Sequence, residues 1–520
     1  MLNRVVTAED AVNLIKDGNT VIVGGSAGMG VAEAVLVAME KQFLDVQQPR
    51  DLTIIHTTGV GAVTDRGLNR LVHKGLVKRV IGGNFGLQLP FMKELIVTNE
   101  IEAYNIPQGV LCQLYRAMAA KQPGVVTHVG LHTYMDPRQE GGRMNEKTTK
   151  DMIEVVELAG KEWLFYKAPV ANVALVRGTT ADEDGNVSME HEATTLEALS
   201  IAQAVHNAGG TVICQVKRLA QRGTLHPQMV RIPGFLIDAF VVDPDQWQNY
   251  AEPFDPSLCG EVTRPLATLK PDPLGPRRVI ARRAAFELST GAAFNLGVGV
   301  SAAIPNVVAE EGIEDLITLT VEAGVIGGIP GEALYFGSSY NPRAIMDQAY
   351  MFDFYCGGGL DVAFVSFAEV DSEGNVNVTR FGNRNDGAGG FIEITQNSKK
   401  IIFSGTLTGG GLKVAVADGE VRIDQEGSIK KFVPRVNQVS YNGHLGQERG
   451  QETMFISERA VLRMADEGLV VTEIAPGVRL QEDVLDQLSF EVKVSPDLKP
   501  MDSRIFRDGP MGLRQEILDR

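Results

Sequence analysis

One pattern of residues occurs twice in this chain, and the repeat constrains the fold more than any other feature of the sequence. Residues 174–189 read ALVRGTTADEDGNVSM, and residues 363–378, 189 positions later, read AFVSFAEVDSEGNVNV. In each copy a β-rich run leads into an acidic turn that ends in Gly-Asn-Val. Two upstream motifs, VIVGGSAGMG and DLTIIHTTGVG, have counterparts in the same order in FNLGVGVSAAIP and DLITLTVEAGVIGG. Three motifs in one order predict two α/β halves of common origin.

Strand and helix signals alternate along the chain. Thr7 is placed to cap a first helix, Thr20–Val23 reads as a short buried strand, and a helical pattern covers residues 32–42. A second strand is expected over Leu52–His56. Alternation of this kind predicts mainly parallel sheets. We therefore expect the α/β class, with two homologous open α/β domains fused in one chain.

A proline-rich segment separates the two halves. Residues 244–276 contain seven prolines in 33 positions, which excludes regular structure throughout that segment. We expect an N-terminal domain over residues 1–244, a linker over residues 245–277 and a C-terminal domain over residues 278–520.

Composition argues against several classes of function. Apolar residues make up 44% of the 520 positions, as in a globular chain, and the net charge of −16 disfavours binding to nucleic acid or to an anionic membrane. The four cysteines form no CxxC pair, so neither a disulfide framework nor a structural zinc site is expected. The N-terminus has no signal-peptide core and no run of 18 apolar residues occurs, which predicts a cytoplasmic protein.

Two common kinds of site are disfavoured by the residues. Gly24–Gly30 follows an apolar strand, as in nicotinamide-binding turns, but the next strand ends in His56-Thr57-Thr58 without an acidic residue, and no tyrosine has a lysine four positions later. His128 and His132 have helical spacing for a metal, yet Gly130 lies between them. A nicotinamide or metal site is therefore not expected.

Three other places carry polar groups suited to catalysis. Glu322 follows the apolar run Leu316–Val321, and open α/β sheets put their sites at the carboxyl ends of strands. Gln108, together with Gly389 and Gly390, offers an amide and backbone N–H groups of the kind that stabilise an oxyanion. Each of these places also fits an ordinary turn, and the apolar run after Gly390 reads as a strand.

In combination, the motifs resemble those of the family I CoA-transferases, above all the single-chain branch in which two halves are fused. The first family signature is Asp-Gly, three apolar residues, Gly-Gly-Phe, then Gly and Pro; here residues 17–32 read DGNTVIVGGSAGMGVA, with Ser26 replacing Phe and Ala32 replacing Pro. The second signature, often Ser-Glu-Asn-Gly, is Val321-Glu322-Ala323-Gly324 here. Over about residues 3–510, further similar stretches are YNIPQGVLCQLYRA, GLHTYMDPR, FNLGVGVSAAIP, DFYCGGGLD, EGNVNV, GAGGFIEITQ and EIAPGV.

The resemblance implies a specific chemistry. Glu322 would attack an acyl-CoA and form a glutamyl-CoA thioester in a ping-pong reaction, while Gln108 and the backbone N–H of Gly389 or Gly390 would stabilise the oxyanions. Coenzyme A would be a substrate and covalent intermediate, with no permanently bound cofactor. The other expected substrates are small carboxylates of the acetate or propionate type, and the expected assembly is a homodimer or homotetramer. The residues expected to contact coenzyme A are Gly297, Val298, Gly299, Asn375, Asn377 and Lys400.

Other functions remain open at this point. A short-chain acyl-CoA hydrolase could use the same glutamate and discharge the thioester to water. A non-catalytic acyl-CoA-binding module is the alternative of another class, although such a module has no need for Glu322. The acyl chain that the enzyme prefers does not follow from the sequence.

Overall fold

The computed structural model describes residues 4–63, 65–266, 269 and 271–519. The strands of the first half are β1 (Val5–Val6), β2 (Thr20–Val23), β3 (Leu52–His56), β4 (Val77–Gly82), β5 (Glu102–Asn105), β6 (Gly124–Thr127), β7 (Ile153–Leu158), β8 (Lys161–Lys167), β9 (Val173–Asp182), β10 (Val187–Ser188), β11 (Thr211–Ala220), β12 (Val230–Ile232) and β13 (Ala239–Val242). Its helices are α1 (Ala8–Val12), α2 (Glu33–Val46), α3 (Leu89–Phe91), α4 (Gln108–Ala119) and α5 (Ala198–Asn207).

The second half begins with helix α6. Its strands are β14 (Ala293–Leu296), β15 (Thr318–Val321), β16 (Val325–Ile326), β17 (Ile329–Pro330), β18 (Ser339–Tyr340), β19 (Ala344–Ile345), β20 (Val362–Ser366), β21 (Glu369–Val370), β22 (Val376–Asn377), β23 (Arg380–Phe381), β24 (Arg384–Asn385), β25 (Lys400–Ser404), β26 (Thr408–Gly409), β27 (Lys413–Ala417), β28 (Glu420–Gln425), β29 (Ile429–Lys430), β30 (Glu452–Ile456), β31 (Ala460–Ala465), β32 (Gly468–Ile474) and β33 (Lys493–Pro500). Its helices are α6 (Pro276–Ala285), α7 (Ile304–Glu311), α8 (Gln348–Cys356), α9 (Phe391–Asn397), α10 (Gly443–Glu448) and α11 (Leu513–Leu518).

The two large sheets share one strand order. The first contains β13-β11-β9-β2-β3 and the second contains β30-β25-β20-β14-β15, with parallel pairing throughout both series. The strands that carry the repeated motifs occupy equivalent places in the two series. The α/β class, the parallel sheets and the repeated architecture predicted from the sequence are thus confirmed.

Each half extends the shared series differently. In the first half β4 and β5 continue the sheet in parallel beyond β3, and β6-β8-β7 form a separate antiparallel sheet. In the second half β16 and β19 pair antiparallel beyond β15. The strand after the second motif therefore runs in opposite directions in the two halves.

The repeated acidic turn has the same hydrogen bonds in both halves. Oδ1 of Asp182 accepts from the backbone N–H of Asn186 at 2.9 Å, and the Asn186 amide donates back to Oδ2 at 3.1 Å. Asp371 and Asn375 make the same two bonds, at 3.0 and 3.2 Å. A local hydrogen-bonded turn of this kind explains why both copies keep an Asp and an Asn four positions apart.

Apolar side chains bury both faces of each sheet. In β2, Val21 and Val23 lie in the core on one face, whereas Ile22 lies in the core on the other. Parallel sheets covered by helices on both faces produce this arrangement. In the described part of the chain, no helix has the length and apolar character needed to cross a membrane.

The proline-rich segment is packed between the halves. The strands of the two large sheets lie within residues 5–242 and 293–500, so the described residues of the segment 245–277 contribute to neither of them. Tyr250 packs so closely on Gly28 that a Cβ there would lie 2.5 Å from the Tyr250 nitrogen. The carbonyl of Ser257 accepts from the N–H of Asn341 at 3.0 Å. The segment therefore contacts both halves.

Candidate active site

Glu322 lies on a tight turn at the carboxyl end of β15. The turn returns directly into β16, with Val321 paired to Val325 and the N–H of Gly324 donating to the Val321 carbonyl at 3.0 Å. Gly324 has a φ of +98°, and a Cβ there would lie 2.1 Å from the Met346 carbonyl oxygen. Only glycine fits this position without strain. The Glu-x-Gly spacing therefore follows from the turn that presents the glutamate.

The Glu322 carboxyl group lies in a confined, partly buried place. Burial raises its pKa to about 7, and a hydrogen bond from the Gln108 side chain acts in the opposite direction. A Cβ on Gly390 would lie 2.7 Å from Oε2 of Glu322 and 2.9 Å from the Phe352 ring. Glycine at position 390 thus leaves room for the carboxylate and keeps the backbone against it.

Gln108 reaches this place from the first half. It is the first residue of α4, after Pro107, and its side chain is 1% exposed. Its Oε1 has no hydrogen-bond partner among the described residues, and its side chain lies close enough to Glu322 to lower the pKa of that carboxyl group. A buried amide from the first half thus lies beside a carboxyl group of the second half.

The backbone N–H groups of Gly389 and Gly390 are not equivalent. Gly389 donates its N–H to the Gly83 carbonyl at 2.7 Å and accepts from the Gln108 N–H at 2.9 Å. No backbone acceptor is recorded for the Gly390 N–H within the described residues. Of the two donors expected from the sequence, the Gly389 N–H is thus already used by the fold, and Gly390 is the available one.

We call the contact between the segments 82–84 and 105–110 of the first half and 387–393 of the second half the seam. Asn105 joins its two sides: its amide donates to the carbonyls of Gly82 and Gly83 at 2.8 and 2.6 Å, and its Oδ1 accepts from the Ala388 N–H at 3.0 Å. The sequence analysis missed this residue. Its signal was a lone amide at the end of a strand, two residues before Pro107.

Glu393 is a second residue that sequence reasoning missed. The run Phe391–Ile394 was predicted as a strand but is the start of α9, and this prediction was wrong. Oε1 of Glu393 accepts from the N–H groups of Gly109 and Val110 at 2.7 and 3.2 Å. The available signal was an acidic residue between two isoleucines, which is unusual in a buried run unless the carboxyl group is bonded.

The glycine-rich loop of the first half also faces the Glu322 turn. A Cβ on Gly337 would lie 2.6 Å from Cε of Met29 and 3.6 Å from Cβ of Ala323. The Thr194 hydroxyl donates to the Ala323 carbonyl. The first half therefore packs against the turn on a second side.

The loop Gly297–Gly299 follows β14, the neighbour of β15, so it lies at the same edge of the sheet as Glu322. Gly299 has a φ of +85°, and a Cβ there would lie 2.7 Å from the Ser366 hydroxyl. Val298 is 58% exposed. An exposed apolar side chain flanked by glycines offers a surface for a ligand that enters toward Glu322.

The other three residues expected to contact coenzyme A make bonds within the fold. Asn375 completes the acidic turn described above, and the Asn377 amide donates to Glu369 and to the Arg380 carbonyl. Lys400 bridges Glu287 and Glu452, at 2.8 Å to each. These bonds give the three side chains turn or packing functions, which the sequence had also allowed. The coenzyme A contacts that we propose do not include them.

The described residues contain no cluster of histidine, cysteine and carboxylate side chains able to hold a metal ion. His128 bonds to Asn397, and His132 has a φ of +62°, so the pair does not lie on a helix.

Comparison with known proteins gives a consistent result. The profile of the "Coenzyme A transferase" family matches residues 5–243. The chain is 48% identical over 511 residues to "Acetate CoA-transferase YdiF" of Escherichia coli K12, covering 98% of this chain and 96% of that protein. It is 43% identical over 519 residues to the caffeate CoA-transferase of Acetobacterium woodii, covering 98% of each.

A solved structure matches the fold over nearly the whole chain. It is the acyl-CoA transferase YdiF of Escherichia coli O157:H7, described as a thioester complex with CoA. The TM-score is 0.92 at 46% identity, and the match covers 98% of this chain and 97% of that one.

Proposed function

This chain belongs to the coenzyme A transferase family, and on that premise we propose that Glu322 is its nucleophile in the transfer of coenzyme A between a short-chain acyl-CoA and a carboxylate. CoA transfer is the activity named for the similar acetate and caffeate enzymes, and the similar YdiF structure is described as a thioester complex with CoA. The observation that carries the residue assignment is the Glu322 carboxyl group, held between the Gln108 amide and the backbone of Gly390.

The reaction balances with carboxylates and thiolates alone. The Glu322 carboxylate attacks the thioester carbonyl, the C–S bond breaks, and a mixed anhydride and a CoA thiolate result. The thiolate then attacks the glutamyl carbonyl of the anhydride, which forms the glutamyl-CoA thioester and releases the donor carboxylate. An acceptor carboxylate reverses these steps, so the thioester bond is conserved and neither ATP nor a net proton is needed.

Burial of Glu322 suits this chemistry in two ways. A carboxylate with a pKa near 7 is more basic than an exposed one, so it is a stronger nucleophile once ionised. Confinement also restricts access of water to the thioester, and such restriction favours transfer over hydrolysis.

Each tetrahedral intermediate carries an oxyanion next to Glu322. The Gln108 amide and the Gly390 N–H are the two donors that we assign to it, one from each half. The fold fixes such donors before the reaction begins. They stabilise the transition state most strongly in a site that excludes water. We assign the pantetheine contact to Gly297–Gly299, with Val298 at its surface.

Steady-state exchange tests the proposed function. With acetyl-CoA and propionate, a ping-pong enzyme gives parallel double-reciprocal lines and forms acetate and propionyl-CoA in equal amounts, without free CoA. Release of free CoA without a carboxylate would identify a hydrolase. Binding of acetyl-CoA without exchange or release would identify a non-catalytic module. Replacing propionate by caffeate then compares the two substrate classes named by the relatives.

We further propose domain boundaries at 1–244, 245–277 and 278–520, a homodimer or homotetramer, and a location in the cytoplasm. Light scattering after size-exclusion chromatography measures the assembly. A monomeric mass at micromolar concentration would contradict that part of the proposal.

A further inference from the structure

The start of helix α4 is held by the other half of the molecule. An α-helix leaves its first N–H groups without partners in its own backbone. In α4 the Gln108 N–H donates to the Gly389 carbonyl at 2.9 Å, and those of Gly109 and Val110 donate to one oxygen of Glu393 at 2.7 and 3.2 Å. The second half therefore binds the first three N–H groups of the helix whose first side chain is Gln108.

The Glu393 carboxyl group is fully buried at the seam. Its second oxygen, Oε2, has no hydrogen-bond partner among the described residues. Burial raises the pKa of Glu393 to about 8, and the nearby charge of Glu322 acts in the same direction. Placing a second carboxyl group near a buried nucleophile costs stability. This cost is consistent with a function for Glu393 in the reaction.

We propose that Glu393 is a positioning residue for CoA transfer: it holds the start of α4, and with it the Gln108 amide, in register with Gly390 and Glu322. This inference rests on the proposed function, because it assumes that Gln108 stabilises the oxyanion. Gly390 and Glu393 are three positions apart on the second half, whereas Gln108 and Gly109 are adjacent on the first. The carboxyl group thus links the two donors that must converge on one oxygen atom.

Geometry of this kind has a large effect on rate. Displacing a catalytic group by about 1 Å can cost about 100-fold. Glu393 sets the placement of the Gln108 backbone through bonds to the two residues that follow it, so a shorter side chain at position 393 should draw the amide away from Glu322. The ability to accept two N–H donors, rather than the negative charge, is the property that this function requires.

Two conservative variants separate these properties. Glu393→Gln keeps an oxygen acceptor of the same reach, so it should form the glutamyl-CoA thioester within about threefold of the wild-type rate. Glu393→Asp keeps the acid but withdraws it by one methylene, so its single-turnover rate should fall by roughly 10- to 100-fold. The KM for acetyl-CoA should stay within about threefold in both, since neither change touches Gly297–Gly299.

Glu311→Asp is the matched control. Glu311 is a buried carboxylate that accepts from the N–H groups of Gly512 and Leu513 at 2.8 and 2.9 Å, at the start of helix α11. It lies at the carboxyl end of α7, which leads to the amino end of β15, whereas Glu322 follows the carboxyl end of that strand. Glu311→Asp should lower Tm as Glu393→Asp does, yet leave the rate of thioester formation unchanged.

The combined variant tests whether Glu393 acts through Gln108. In Gln108→Ala, the further change Glu393→Asp should slow the reaction by less than about threefold. Full additivity, a normal rate in Glu393→Asp, or a Glu393→Gln that is as slow as Glu393→Asp would each overturn the inference. If the wild type forms no thioester at all, the proposed function fails and this inference fails with it; a thioester in the wild type with an unchanged rate in Glu393→Asp overturns the inference alone.

Discussion

The two halves share a sheet but differ where the second motif ends. In the first half β3 is followed by a loop and the parallel strand β4, and the residue in register with the proposed nucleophile is Thr57. In the second half β15 turns back at once into β16, and the turn presents Glu322. Position 56 of the first half is a buried histidine whose pKa burial lowers to about 4.

This difference shows how one scaffold provides complementary parts. The second half holds the proposed nucleophile Glu322 on a tight turn, and the first half supplies the amide of Gln108 from the start of α4. The two groups come from different halves, so the proposed mechanism places the reaction at the seam rather than within either sheet.

The largest effect is expected when the proposed nucleophile, Glu322, is removed. Glu322→Ala should lower the rate of CoA transfer by about 10⁴-fold or more, because the variant lacks the carboxylate that forms the thioester. Exchange of acetyl-CoA with labelled acetate measures the loss. Glu311→Ala, which removes a buried carboxylate at the opposite edge, serves as control, and equal losses in the two variants would contradict the assignment.

The contribution of the first half is tested next. Gln108→Ala should lower kcat by roughly 10²- to 10³-fold, as expected for one lost oxyanion donor, with a smaller change in KM. Stopped-flow measurement of thioester formation is the direct readout. A normal kcat would show that the first half contributes no donor and would leave the seam without a catalytic function.

A buried carboxyl group of the first half, Glu197, should make stability depend on pH. Glu197 of the first half bonds to Thr57, and burial raises its pKa to about 8. Since the folded pKa lies above the unfolded one, the stabilisation is present at low pH and is lost as the pH rises from about 4.5 to about 8. Between pH 4 and pH 9 the wild type should therefore lose roughly 4 to 5 kcal/mol of unfolding free energy that Glu197→Gln does not lose. Calorimetric Tm values across this range test the sign, and parallel curves for the two proteins would contradict it.

The pH dependence of the rate follows from Glu322. Only the carboxylate is nucleophilic, so kcat/KM for acetyl-CoA should rise about tenfold per pH unit and level off above about pH 7. Because the Gln108 side chain lowers the pKa of Glu322, Gln108→Ala should move the rise of kcat/KM to higher pH. A rise that moves to lower pH in that variant would contradict the proposed interaction between Gln108 and Glu322.

The smallest expected effect concerns the repeated turns. Asn186→Ala and Asn375→Ala remove the same hydrogen bond from the two halves, so each should cost about 1 kcal/mol of unfolding free energy. Thermal unfolding measures both changes. The KM for acetyl-CoA should stay unchanged in Asn375→Ala, and a large rise confined to that variant would restore Asn375 as a contact of coenzyme A.

Much of the fold could be read from local sequence patterns. Thr20–Val23 and Leu52–His56 are strands with the predicted bounds, and Thr7 caps α1 as expected. The Glu-x-Gly pattern located the Glu322 turn. These features depend on short-range chemistry, namely apolar runs, caps and glycine conformations, and the repeat predicted two halves of one architecture.

The details of the seam depend on partners far apart in the chain. Whether Gly389 or Gly390 has a free N–H is decided by Gly83, about 300 positions earlier, and no local pattern reports that bond. The run from Phe391 alternates like a strand, yet it forms a helix whose glutamate caps α4. Long-range hydrogen bonds of this kind override local propensity.

The central claim is a covalent bond between Glu322 and coenzyme A, and intact mass tests it most directly. After incubation with acetyl-CoA, borohydride should reduce the glutamyl thioester to an alcohol and leave the protein lighter by about 14 mass units. Peptide mapping should place the loss at Glu322, and Glu322→Ala should show none. An unchanged mass with every short-chain acyl-CoA, or a loss mapped to another residue, would contradict the account.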